Sequence, residues 1–132
     1  MIALDTNVLV RYLAQDDRGQ ARRATRLIEG SLTADEPGWV PVVALAELVW
    51  VMESCYDATR ADVAQLLERL LRVKQLRFQH VDAAWQALRL FRAGKADFAD
   101  CLIQRLSMEA GCSSIVTFDQ AAARGAGMTL LA

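Results

Sequence analysis

The sequence predicts an α/β fold, a central parallel β-sheet flanked by α-helices on both faces, because short apolar runs alternate with helix-period segments along its length. Three stretches carry that prediction. Residues 2–4 are an apolar run that ends at Asp5 and gives way to Val8, Leu9, Tyr12 and Leu13 at helical spacing. Residues 59–73 place Val63, Leu66, Leu67, Leu70 and Leu71 in the i, i+3, i+4, i+7, i+8 series of a helix with one apolar stripe. Residues 114–118 are a further apolar run closed by an acid, Asp119, and a last strand is expected at 128–131.

The remaining elements fall between these. A helix is expected at 19–29, turning Ala21, Ala24 and Ile28 inward and closing at Gly30-Ser31. Pro37 and Gly38 mark a loop before an apolar run at 39–43, where Pro41 argues for a strand edge or end. Helices follow at 44–54, at 82–93 with Gly94 as its stop, and at 98–110, with Ala99, Leu102, Ile103 and Leu106 at core spacing and Gly111 as the stop. A short strand is expected at 75–81 and includes His80, read as structural. Burying each leucine of the 59–73 stripe should contribute ~1.5–3 kcal/mol, which outweighs helix propensity and assigns that face to the core.

A chain of 132 residues that is 54 % hydrophobic is expected to fold as one domain, 1–132, around a continuous core. The formal net charge of −1 excludes a strongly basic polyanion binder, so any nucleic-acid contact must be local. The opening Met1-Ile2-Ala3-Leu4-Asp5 has no basic n-region, and the greasiest stretch, 42–52, is broken by Glu47 and falls short of the ~20 residues of a membrane span. A cytoplasmic protein with no membrane partner is therefore expected. Cys55, Cys101 and Cys112 have no C-x-x-C spacing and are read as buried, reduced thiols rather than zinc ligands.

The acids carry the chemistry. In an open parallel sheet, ligands sit beyond the carboxyl ends of the strands, where Asp5 and Asp119 directly follow apolar runs. Glu47 lies in a greasy helical neighbourhood, and Asp97 and Asp100 stand i, i+3 at the start of a helix. Each has a purely local reading as well: Asp97 as a helix cap, Asp5 as acceptor at a strand-to-helix corner, Asp119 as a cap of the segment behind it. Together they point elsewhere, since two carboxylates ~4 Å apart repel by ~4 kcal/mol at an effective dielectric of ~20. A cation relieves that conflict, and an all-oxygen donor set suits Mg2+ or Mn2+ better than zinc.

These residues resemble the PIN-domain family, and within it the VapC-type ribonuclease toxins of bacterial toxin–antitoxin modules. Leu4-Asp5-Thr6-Asn7-Val8-Leu9 is similar to the family's opening L-D-T-N/S motif, and Val42-Val43-Ala44-Leu45-Ala46-Glu47-Leu48 to the segment with its second acid. Ala96-Asp97-Phe98-Ala99-Asp100-Cys101-Leu102-Ile103 resembles the D-F-x-D-x-L-I block, and Val116-Thr117-Phe118-Asp119 the closing T-x-D. The match runs the length of the chain, in order. One departure is Gln120-Ala121-Ala122, where relatives often carry an aromatic residue.

The resemblance implies a single PIN-like domain in which Asp5, Glu47, Asp100 and Asp119 form the catalytic, metal-holding quartet, with Asp97 auxiliary and Thr6, Asn7 and Thr117 as polar supports. It also implies metal-dependent cleavage of RNA leaving a 5′-phosphate, a VapB-like antitoxin as partner, and a homodimer. Arg18, Arg22 and Arg26 at i, i+4, with Arg11 and Lys95, are candidate cations for the substrate, although a solvated helix face accounts for them equally. Trp39, Trp50 and Tyr56 read as core, or as an interface. Three competitors remain: a catalytically silent PIN-like binding module, a nuclease acting on DNA, and a phosphoacceptor receiver domain. The last needs an acidic pair near the first strand and a lysine after the last, and the sequence has neither.

Overall fold

A computed structural model describes residues 1–132, which divide into two compact units, 1–79 and 80–132. In the first unit β1 (Ile2–Ala3), α1 (Thr6–Ala14), α2 (Arg18–Thr25), β2 (Gly38–Val40), α3 (Val42–Cys55), α4 (Arg60–Leu71) and β3 (Leu76–Phe78) follow in chain order. The strands form a parallel sheet in the order β1-β2-β3, with Ile2 opposite Gly38 and Gly38 opposite Leu76. Gly38 lets leucine side chains close over the strand, since a Cβ there would come within 2.8 Å of Leu32 Cδ1 and 3.1 Å of Leu4 Cδ1. Helix α1 packs on α2 and α3, and α3 on α4. Leu9, Ile28, Val40, Leu45, Leu48, Val63, Leu67 and Leu70 are fully buried.

Local chemistry sets the helix boundaries. Thr59 and Asp62 form a reciprocal capping box at the start of α4. Pro41 ends β2 and opens α3, whose first N–H, on Val42, donates to Gln79 Oε1 at 3.0 Å. The residue after β3 thus caps a helix whose own N-cap has no donor-accepting side chain. Val42 and Val43 therefore belong to α3 rather than to the strand that their β-branching favours. Helix α2 runs into a wider π-type turn at Arg26–Ser31, so the helical segment ends as expected but its last turn is not α-helical.

The second unit contains α5 (Val81–Ala93), α6 (Phe98–Glu109), β4 (Val116–Thr117), α7 (Gln120–Gly125) and β5 (Thr129–Leu130). Helices α5 and α6 pack through Ala84, Ala87, Leu88, Cys101 and Leu102, all buried, with Phe91 and Phe98 edge to face at 6.0 Å between ring centres. Strands β4 and β5 pair in parallel, Val116 with Thr129 and Thr117 with Leu130, through the short crossover that carries α7. The fold is thus mixed α/β with parallel strands, as expected, but the strands form a three-stranded sheet and a separate two-stranded ladder.

Several single-residue expectations are corrected. Cys55, the last residue of α3, and Cys112, in the turn after α6, are exposed; only Cys101 is buried. His80 lies beyond the strand with φ 52°, at the start of α5, where its Nδ1 is 2.9 Å from Glu109 Oε1. On α6 the buried face is Phe98, Cys101 and Leu102, leaving Ile103 and Ala99 exposed. Trp50 is 64 % exposed and does not belong to the core. No helix is long and apolar enough to cross a membrane.

Candidate functional site

In the first unit, the N–H of Leu4 donates to Trp39 O at 2.9 Å, which pins the strand end and delivers Asp5 to the strand-to-helix corner. Asp5 is the N-cap of α1, and its Oδ1 accepts from the N–H of Thr6 at 2.8 Å. Thr6, at 5 % exposure, is the one buried polar side chain of the chain. A buried hydroxyl needs a partner, and that partner is distant in sequence: Thr6 Oγ1 donates to Glu47 Oε1. This bond ties the start of α1 to the second turn of α3 and fixes one carboxylate oxygen of an otherwise exposed Glu47. Asn7 is exposed and lines a cleft with Arg11, Gln20 and Arg23. Arg11 is already engaged there by Gln20 Oε1 at 2.6 Å, Asp16 Oδ1 at 3.2 Å and Tyr56 Oη at 3.2 Å.

In the second unit, Asp97 is the N-cap of α6, and its Oδ1 accepts from the N–H of Asp100 at 2.8 Å. Asp119 is the N-cap of α7, with Oδ1 accepting from Ala121 N at 2.8 Å and Ala122 N at 3.3 Å. The N–H of Asp119 donates to Thr117 Oγ1 at 3.0 Å, so Thr117 holds the backbone that presents this acid. Burial pushes the Asp100 carboxyl above the usual carboxylate range, and the charge of Asp97, a hydrogen bond with it and the charge of Asp119 push it further. Asp97 and Asp119 therefore both lie within electrostatic reach of Asp100.

The structure thus brings the predicted residues into two groups: Asp5, Thr6 and Glu47 in the first unit, and Asp97, Asp100, Thr117 and Asp119 in the second. No three His, Cys, Asp or Glu side chains stand as a ready-made metal cage. The donors nevertheless fit a hard divalent cation, since all are oxygens and burial and two further carboxylates disfavour the bare charge of Asp100. The local readings hold too, because Asp5, Asp97 and Asp119 are all helix caps. Sequence spacing gave no reason to pair Lys95 with Arg124, yet both line one cleft of the second unit, with Gly94, Ala121 and Gly125.

The chain belongs to the PIN-domain family: the family model of the PIN domain matches residues 2–128. It is also similar to a protein named VapC ribonuclease from Aquifex aeolicus (strain VF5). The two are 25 % identical over 118 residues, which cover 89 % of this chain and 87 % of that relative.

Proposed function

We propose that residues 1–132 act as one PIN-like nuclease domain, a metal-dependent endoribonuclease that serves as the toxin of a type II, VapBC-like toxin–antitoxin pair. The observation that carries this reading is Asp100, a part-buried carboxyl whose proton affinity is raised by burial and by two further carboxylates. The family match and the likeness to a VapC ribonuclease support the same chemistry.

In this reading Asp5, Glu47, Asp100 and Asp119 hold Mg2+ or Mn2+, with Asp97 auxiliary. A divalent cation, when bound, supplies Lewis acidity and neutralises charge on a phosphodiester. The chain's own residues set up the donors. Thr6 orients Glu47 through its hydroxyl, Thr117 fixes the backbone of Asp119, and Asp97 anchors the first turn that carries Asp100. Asn7, exposed and next to Thr6 in the chain, is a further polar support of the site in this reading.

The partners that follow are an RNA substrate, a VapB-like antitoxin and a second copy of the chain, all in the cytoplasm. For the second copy, α3 offers Val43 and Trp50, 69 % and 64 % exposed, on one face with Glu47. The test is cleavage of single-stranded RNA, and of DNA of the same sequence, with Mg2+ or Mn2+ and with excess chelator. Asp100→Asn should lower RNA cleavage by at least ~100-fold, the scale of one essential catalytic group, without lowering the melting temperature. Undiminished cleavage by that variant, or cleavage that persists in chelator, overturns the reading; preference for DNA replaces the substrate.

A further inference from the structure

We infer that the cleft between α1 and the α2 segment takes one unstacked base of the RNA strand and prefers guanine there; the inference rests on the nuclease reading above. The cleft is about 340 Å³. Its floor is apolar, made by buried Ala24 and half-buried Val8 and Leu27. Its rim is Asn7, Arg11, Gln20 and Arg23, with no carboxylate among the lining residues.

The hydrogen bonds of the rim decide what it offers. Arginine has no acceptor, so the Gln20 atom 2.6 Å from Arg11 Nε must be the amide oxygen, and the NH2 is the end left to the cleft. Arg11 Nη1 is held as well, by Asp16 Oδ1 at 3.2 Å and Tyr56 Oη at 3.2 Å. A guanidinium fixed along two sides keeps its plane, and a fixed plane is a surface on which a base stacks at little further ordering cost. Arg23, exposed, donates from Nε to Gly19 O at 3.4 Å, which leaves its terminal nitrogens as the donating edge.

The position of the cleft ties it to the strand. Asp5 caps α1, and the N–H of Val8 donates to Asp5 O at 3.1 Å, so the floor begins in the turn that this acid opens. Asn7 stands about 3 Å of helix rise beyond Asp5, less than the ~3.4 Å between successive nucleotides of a strand. A base in the cleft therefore belongs to a nucleotide flanking the phosphate presented to Asp5. An unstacked base needs a flat bed and partners for its edge, which the floor and the rim supply. The Gln20 NH2 and Arg23 donate only, and they match guanine, whose O6 and N7 are both acceptors. Adenine sets its own N6 amino donor against them. Asn7 carries both a donor and an acceptor and serves either base.

The test is binding of a fluorescein-labelled oligouridylate with one central guanosine, or adenosine in its place, to the full chain in excess chelator. Cleavage in Mg2+ is measured separately. The wild type should favour the guanosine strand about tenfold. Gln20→Glu keeps an oxygen for Arg11 and removes the donors, so it should bring that ratio to about one. Arg23→Met should lower the ratio too. Arg22→Gln, an exposed cation of α2 that does not line the cleft, should change both strands alike and is the charge control. Equal affinity for the two strands in the wild type, or a ratio that survives both Gln20→Glu and Arg23→Met, overturns the base pocket and leaves the nuclease reading in place. A guanosine preference in a wild-type chain that cleaves nothing keeps the pocket and removes the nuclease. A labelled helical peptide of leucine and glutamate that binds the wild type but not Gln20→Glu, with the RNA ratio at one throughout, gives the cleft to a protein partner and overturns the base assignment.

Discussion

Thr6→Val removes one hydroxyl and nothing else of size, and the structure states what that hydroxyl does. It is the one buried polar side-chain group, and it donates to a carboxylate oxygen of Glu47, 41 residues away. A hydrogen bond to a charged acceptor contributes ~1.5–3 kcal/mol net. Glu47 is exposed, so water re-solvates the released oxygen and offsets part of the loss. The expected destabilisation is therefore ~1–2 kcal/mol, a fall in melting temperature of about 3–10 °C for a chain of this size. Thr6→Ser keeps the donor and should recover most of it. A double-mutant cycle with Glu47→Ala isolates the pair and should give a coupling of ~1 kcal/mol or more. If Thr6 acts by positioning Glu47, kcat for RNA falls while KM holds. An additive cycle, or a Thr6→Val variant that melts with the wild type, refutes the account of how Glu47 is held.

Two further perturbations probe the same framework. Burial, then the hydrogen bond to Glu29 and its charge, push the Tyr12 phenol from 10.0 up to about 12, with Arg69 opposing. Because the folded value is the higher one, this contribution to stability is complete below pH ~10 and is lost as pH rises through about 12. Ultraviolet titration of a Tyr56→Phe chain should show that raised midpoint, and Glu29→Gln should lower it; a midpoint near 10 in the parent refutes the assignment. Gly125→Ala drives a Cβ to 2.7 Å from the backbone of Ala96, whereas at Gly94 the closest approach is a milder 3.3 Å. The first should cost ~1–3 kcal/mol and the second less, as read by denaturant melts, and equal costs contradict the tight crossing.

The order of elements was legible because it is written in local pattern: the apolar runs at 2–4 and 114–118, each closed by an acid, contain β1 and β4, and α4 had a clean apolar stripe. What escaped the sequence was decided by contacts between distant segments. Helix α3 is apolar nearly all round, so periodicity could not show that Val43 and Trp50 face outward. The placement of Val42 and Val43 in that helix depends on Gln79, which no local rule connects to Pro41. His80 takes a left-handed backbone that propensity assigns to few residues, and its partner Glu109 comes from another helix. Among site residues, the acids and Thr6 stood out by position and motif, whereas the Thr6–Glu47 bond and the Lys95–Arg124 cleft exist only once the chain is folded.

Helix capping and metal chemistry ask for the same side chain in the same place, so capping by itself separates the acids into two kinds. Asp5, Asp97 and Asp119 each accept from backbone N–H at a helix start, which gives each a structural reason to be there. Glu47 and Asp100 cap nothing. Glu47 sits in the second turn of α3 with one oxygen taken by a buried threonine, and Asp100 sits in the first turn of α6, where the helix dipole should favour its charge. Burial and two neighbouring carboxylates outweigh that dipole and raise its proton affinity. An acid kept where its own charge is disfavoured costs the fold stability at neutral pH, a cost that a proton or a bound cation relieves. Asp100→Asn should therefore leave the melting temperature unchanged or raised, which makes it the variant that separates a metal-holding role from a structural one.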